Sequence, residues 1–140
     1  RVRGRGPRPG EQPVAAAAAL ATLQQVEELA IVENAKTVGA YMQQRLLSFV
    51  DQFSFVGDVR GVGLMTGIEM VSDKAKRTPM SKAHDAPARV ARAAYEAGLM
   101  VRISGPNLIL SPPLIISHDE VDFLVDTLES AFATVDKTLS

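Results

Sequence analysis

The stretch Val56-Gly-Asp-Val-Arg-Gly-Val-Gly-Leu-Met-Thr-Gly-Ile-Glu-Met-Val71 decides the fold. Upstream of it the apolar residues recur at helical spacing, and within it the period changes. Val56 to Arg60 and Val62 to Val71, rich in β-branched and apolar side chains, predict two strands. Gly57, Gly61, Gly63 and Gly67 punctuate them, and a glycine inside a strand marks a bulge or a close approach by another backbone. These glycines do not form a phosphate loop. In Gly61-Val-Gly-Leu-Met-Thr-Gly67 the third glycine comes one residue too late for GxGxxG. The segment then runs into a strand, where a dinucleotide site requires a helix N-terminus.

Working outward, Pro13 opens a helix, because proline suits a first turn where its missing N–H costs nothing. Ala15 to Ala19, Leu20, Ala21 and Leu23 have high helix propensity, and their small side chains allow another backbone to pack closely. A second helix is predicted over Ala30 to Phe53. Its stripe is Ile31, Ala35, Val38, Met42, Leu46, Phe49 and Phe53, at spacings of three and four, with Gly39 weakening it slightly. Beyond the strands, Ser72 to Ala83 is polar, basic and contains Pro79, and reads as an exposed loop. A third helix follows, with Asp85 as N-cap, Pro87 in its first turn and Gly98 just past its end.

Leu99 to Ile103 and Leu108 to Leu110 predict short strands of a hairpin around Ser104-Gly-Pro-Asn107. Ser111-Pro-Pro113 ends the second, since proline cannot donate to a ladder. The last helix starts at a capping box, Ser117 with Glu120. Its stripe is Val121, Leu124, Val125, Leu128, Phe132, Val135 and Leu139. Short strands joined as hairpins, with helices around them, define an α+β class: a two-layer domain with a short antiparallel or mixed sheet covered by helices.

The composition agrees with one such domain. The chain has 140 residues, a net charge of −1, 46% hydrophobic and 22% charged residues, an ordinary globular balance. It has no cysteine, which excludes a disulfide framework, a cysteine nucleophile and cysteine-based metal sites. No run of about 18 apolar residues exists, so no membrane span is expected. Residues 1–10 carry four arginines and no acid. Arginine–glycine stretches can bind RNA phosphates, but this one has no aromatic to stack a base. Residues 1–12 therefore read as a disordered basic Gly/Pro/Arg tail, and no nucleic-acid partner is expected.

Few side chains offer chemistry. His84 and His118 have no second ligand at helical spacing, so no metal site is expected. Lys36, Lys74, Lys76, Lys82 and Lys137 lie off the apolar stripes, in the polar loop or near the end, whereas a covalent lysine needs burial or a neighbouring cation to lower its pKa. No catalytic residue is assigned. Arg102 differs: it sits within an apolar strand beside a Gly-Pro turn. Leu99, Val101 and Ile103 share one face there, and Met100 and Arg102 the other. A planar guanidinium in that position seeks a carboxylate or phosphate partner. That partner is either an internal acid such as Glu69 or a ligand.

Several segments together resemble the C-terminal small domain of the class III, fold type I, pyridoxal-phosphate-dependent aminotransferases, in their ω-amino acid or amine–pyruvate branch. They are Pro13-Val-Ala-Ala-Ala-Ala-Ala-Leu20, Val59-Arg-Gly-Val-Gly-Leu-Met-Thr-Gly-Ile-Glu69, Asp73-Lys-Ala-Lys-Arg77, Gly98-Leu-Met-Val-Arg102 and Ser111-Pro-Pro-Leu-Ile-Ile116. The resemblance assigns residues 13–140 to that domain. It places Arg102 where the family pairs an arginine with the substrate carboxylate, and it implies pyridoxal 5'-phosphate, an amino donor, a 2-oxo acid and a homodimer. The large domain that binds the cofactor, with its covalent lysine, has no counterpart in these residues. Arg8-Pro-Gly-Glu-Gln12 also departs from the family's Thr-Tyr-Ser-Gly-His-type stretch, with Arg8 at the threonine position. The expectation is a fragment of a cytoplasmic enzyme, inactive alone. The alternative is a non-catalytic α+β interaction module.

Overall fold

The computed structural model describes residues 12–80 and 85–139. The elements run α1 (Pro13–Glu28), α2 (Ile31–Leu47), α3 (Phe49–Gln52), β1 (Val56–Val62), β2 (Met65–Asp73), β3 (Thr78–Pro79), α4 (Ala86–Glu96), β4 (Arg102–Ser104), β5 (Asn107–Leu110) and α5 (His118–Leu139). The sheet has the order β1-β2-β5-β4, and all of its pairs are antiparallel. This is the α+β class predicted, with the antiparallel choice made. Residues 1–11 of the basic tail, Lys82 and His84 lie outside the described residues, and Gln12 stands at the N-cap of α1.

The strand faces separate cleanly. Val59, Ile68 and Leu108 stand in one register row and are buried toward α2, α4 and α5. The next row, Arg60, Gly67, Ile109 and Arg102, belongs to the opposite face because side chains alternate along a strand. The core between sheet and helices includes Val38, Met42, Leu46, Val90, Val121 and Leu128. At one end it becomes aromatic. Phe132 of α5 lies 5.3 Å from Phe49, 5.4 Å from Phe53 and 5.5 Å from Phe55 between ring centroids.

Several boundaries differ from the sequence reading. The helix predicted over Ala30 to Phe53 is interrupted at Ser48, whose hydroxyl donates to the Arg45 carbonyl oxygen at 2.8 Å. The stripe survives the break, since Val38, Met42, Leu46, Phe49 and Phe53 are all buried. The strand expected from Val62 begins later: Val62 closes β1, and Gly63-Leu64 makes the turn, with Gly63 at φ +56°. The loop from Ser72 contains the two-residue β3, which pairs with β2. Asp85 does occupy the N-cap position of α4, but at φ 43° its side chain makes no capping bond. Of the predicted Leu99–Ile103 strand only Arg102 and Ile103 join the ladder, and β4 runs on to Ser104.

The capping box forms as expected. The Ser117 amide donates to Glu120 Oε2 at 2.9 Å, and the Glu120 amide donates to Ser117 Oγ at 3.2 Å. These bonds hold the Glu120 carboxyl below its usual range, the Ser117 backbone N–H contributing most. α1 is different from every other long helix: none of its residues is buried.

Candidate functional site

Arg102 opens β4, the edge strand of the sheet. Its position is fixed by the hairpin that follows. Gly105 adopts φ +59°, which few side chains tolerate. Asn107 Nδ2 then donates across the turn to the Ser104 carbonyl oxygen at 3.1 Å. β5 pairs Arg102 with Ile109 and ties the edge to the central strand β2. The alternation predicted for this segment holds at Met100, which is 82% exposed, but not at Ile103, which is expected on the face of Leu99 and Val101 and is 43% exposed at the sheet edge. Leu99 and Val101 pack against the core from outside the ladder.

Arg102 is exposed and has no hydrogen-bond or ion-pair partner among the described residues. The internal acid considered for it, Glu69, is occupied elsewhere. Arg60 Nη1 lies 3.0 Å from Glu69 Oε2 and 2.8 Å from Asp58 Oδ2. Those two carboxylates, Glu69 first, raise the Arg60 pKa further. The outer face of the sheet therefore carries one satisfied arginine on β1 and one unsatisfied arginine on β4. Sequence reasoning did not single out Arg60, although Asp58 and Arg60 share a face by spacing alone.

The second charged cluster is structural. Tyr41 Oη donates to Asp122 Oδ1 at 2.6 Å, Arg45 also reaches Asp122, and Arg45 Nη2 lies 2.7 Å from Asp126 Oδ1. The hydrogen bond to Asp122 raises the Tyr41 pKa, and the same bond lowers that of Asp122. His118 is exposed, and its ring lies tilted against Tyr41 with centroids 4.9 Å apart. With their acids engaged, these groups clamp α2 to α5. Asn34 adds a tie, since its Nδ2 donates to the Leu114 and Ile116 carbonyl oxygens at 2.8 and 3.1 Å.

An open groove of about 680 Å³ runs between Leu99, Met100, Leu110, Pro112, Ile115 and Phe123. Arg102 does not line it, so groove and arginine are separate features. Lysines give no cofactor attachment point among the described residues. Lys36 and Lys76 are 78% and 80% exposed along their side chains, Lys74 donates to the Val50 carbonyl oxygen, and Lys137 is exposed. A lysine that forms a covalent bond to a carbonyl cofactor needs burial or a neighbouring cation, and none of these has a buried setting. The described residues thus do not fit a covalently held pyridoxal phosphate, and no step through that group follows from them.

An antiparallel sheet backed by helices, with an exposed arginine on an edge strand, defines a small α+β domain. The sequence pattern described as "Aminotransferase class-III" matches residues 2–132, and the chain belongs to that family. It is 37% identical over 126 residues to a leucine/methionine racemase of Thermococcus litoralis, covering 89% of this chain and 28% of that protein. It is 36% identical over 125 residues to the mitochondrial alanine–glyoxylate aminotransferase 2 of Homo sapiens, covering 87% and 24% respectively. Among solved structures, a PLP-bound amine transaminase from an uncultivated Pseudomonas species superposes with a TM-score of 0.87 at 42% identity. That match covers 96% of this chain and 30% of the other. The chain therefore spans under a third of the length of these relatives.

Proposed function

We infer that this chain is the small-domain portion of a pyridoxal-phosphate-dependent enzyme that moves an amino group from an amine or ω-amino acid to pyruvate or another 2-oxo acid. Arg102 recognises the carboxylate of the acid. The observation that carries this reading is the unpaired guanidinium on an edge strand, while Glu69, the internal acid considered for it, is held by Arg60. A planar, permanently charged fork with no internal partner suits a planar carboxylate. Family membership supports the amino-transfer class, and likeness to an amine transaminase supports an amine donor. The racemase relative supports the amino-acid carboxylate and says nothing of the acceptor. The cofactor belongs, in this proposal, to protein outside these residues, so the chain alone does not catalyse.

The test is a titration of the 140-residue chain with pyruvate, followed by amide shifts in ¹⁵N–¹H NMR. Saturable shifts are expected at the β4–β5 hairpin, and Arg102→Leu should weaken binding about tenfold, the lower end for a charge-assisted bond because the site is solvated. Unchanged binding by Arg102→Leu would remove Arg102 from the site.

The proposal extends to a homodimer in the cytoplasm. α1 supports an associating partner: Val14, Leu20 and Leu23 are 82%, 62% and 62% exposed on a helix with no fully buried residue. Sedimentation velocity is expected to show a concentration-dependent dimer, and a monomer throughout would strike the homodimer from the reading.

A further inference from the structure

Six of the seven described glycines have a reason inside the chain. A Cβ on Gly39, Gly57 or Gly61 would come within 2.3, 2.6 or 2.2 Å of a neighbouring atom. Gly63, Gly98 and Gly105 have φ values of +56°, +90° and +59°. Gly67 has neither reason. A Cβ there would meet only Ile109 Cδ1 at 3.6 Å and the Arg60 carbonyl oxygen at 3.9 Å, both ordinary contacts.

Gly67 nonetheless occupies the middle of β2, paired with Arg60 on one side and Ile109 on the other. Glycine weakens a strand interior, so a glycine there that no internal contact demands marks a close approach from outside the strand. Its face is settled by its neighbours. Thr66 and Ile68 are 1% and 0% exposed on the helix-covered side, so Gly67 belongs to the open side. On that side the register row reads Arg60, Gly67, Ile109, Arg102. Two strand spacings separate Gly67 from Arg102, about 10 Å at about 4.8 Å each. An extended arginine and a small ligand together span that distance. Arg60, on the other flank, is already held by Asp58 and Glu69.

We propose that Gly67 is the floor of the Arg102 anion site: a small carboxylate held by Arg102 lies with its carbon chain across Gly67, against Ile109. This rests on the reading of Arg102 given above and adds what selects among carboxylates. The charge goes to the guanidinium. The carbon chain meets bare backbone at Gly67 and an aliphatic wall at Ile109. The missing side chain at 67 sets the depth available to that chain, so a methyl group added there displaces long carboxylates and leaves short ones in place.

The experiment compares acetate with 2-oxopentanoate, titrated by NMR into the full chain and into Gly67→Ala, Gly67→Val and Arg102→Leu. Gly67→Ala should melt no lower than the parent, because nothing in the chain opposes the methyl group. Acetate affinity should be unchanged in both Gly67 variants. Affinity for 2-oxopentanoate should fall about fourfold in Gly67→Ala and further in Gly67→Val, the loss expected for each methylene that no longer packs. If Gly67→Ala and Gly67→Val bind 2-oxopentanoate like the parent while Arg102→Leu loses both acids, the floor assignment is overturned and the Arg102 reading stands. If Arg102→Leu binds both acids unchanged, or the parent binds neither, the Arg102 reading falls and this proposal with it. If the Gly67 variants change sedimentation instead of ligand affinity, the open face covers another polypeptide, which also overturns the proposal.

Discussion

Phe132→Ala is expected to lower the stability of the chain by about 3–5 kcal/mol, the usual cost of removing a fully buried phenylalanine. Phe132 is fully buried. Its ring contacts Phe49 of α3, Phe53 at the end of that helix and Phe55 at the entry to β1. One side chain of α5 therefore fastens the segment that turns from helix to sheet. The surrounding rings come from a tightly connected stretch and cannot all collapse into the space, so the cavity term remains. A domain of this size has a total stability of about 5–15 kcal/mol, so much of it depends on this position. Urea unfolding read by circular dichroism measures the change. Phe123→Ala serves as the comparison, since Phe123 is 57% exposed and its loss should cost within about 0.5 kcal/mol. Similar midpoints for the two variants would mean that the aromatic cluster does not anchor the sheet.

The same cluster shows why the elements were legible in the sequence. Phe49, Phe53 and Phe132 fall on helical stripes that continue through the break at Ser48, because burial depends on the period and tolerates one distorted turn. The capping box at Ser117 and Glu120 was legible for a similar reason: both partners lie within one turn, so local sequence determines the geometry. The Asp85 cap was misread because a left-handed backbone at φ 43° leaves its side chain out of capping range, and nothing local announces that. The site was legible only in part. Arg102 stood out as a charge in an apolar strand, but its lack of a partner did not. Whether Glu69 meets Arg60 or Arg102 depends on register across three strands, and register is a long-range property. β1 places Asp58 opposite Glu69 and Arg60 one step along the same face, which captures Glu69 and leaves Arg102 free. Gly67 was grouped with the other strand glycines. Only the space around each in the folded chain, together with its backbone φ, separates those that the fold requires from the one it does not.

Gly39→Ala should show this distinction most sharply, because sequence and structure predict opposite signs. Gly39 lies inside α2, where alanine is favoured over glycine by about 1 kcal/mol. On propensity alone the substitution stabilises. In the folded chain a Cβ at Gly39 would stand 2.3 Å from the Gly63 carbonyl carbon and 2.4 Å from its oxygen. Both atoms are backbone of the β1–β2 turn, and Gly63 itself is held at φ +56°. A flexible side chain could swing away from the new methyl group; a turn cannot do so without moving the hairpin. That movement also strains the bond by which Gln43 Nε2 donates to the Gly63 carbonyl oxygen at 2.8 Å. Overpacking of this kind costs about 1–3 kcal/mol or more, and against backbone the upper end applies, so a net loss of about 2 kcal/mol is expected after the propensity gain. The midpoint of urea unfolding decides the sign. A rise would show that the hairpin yields freely and that α2 does not fix its position. A fall would show that α2 sets the tilt of β1 and β2, and with it the row that carries Arg60 and Gly67. Gly39→Ala should then also shift the amide resonances of that row, while Gly98→Ala, with nothing within 4 Å of its added methyl, should leave the row undisturbed and pay only for its positive φ.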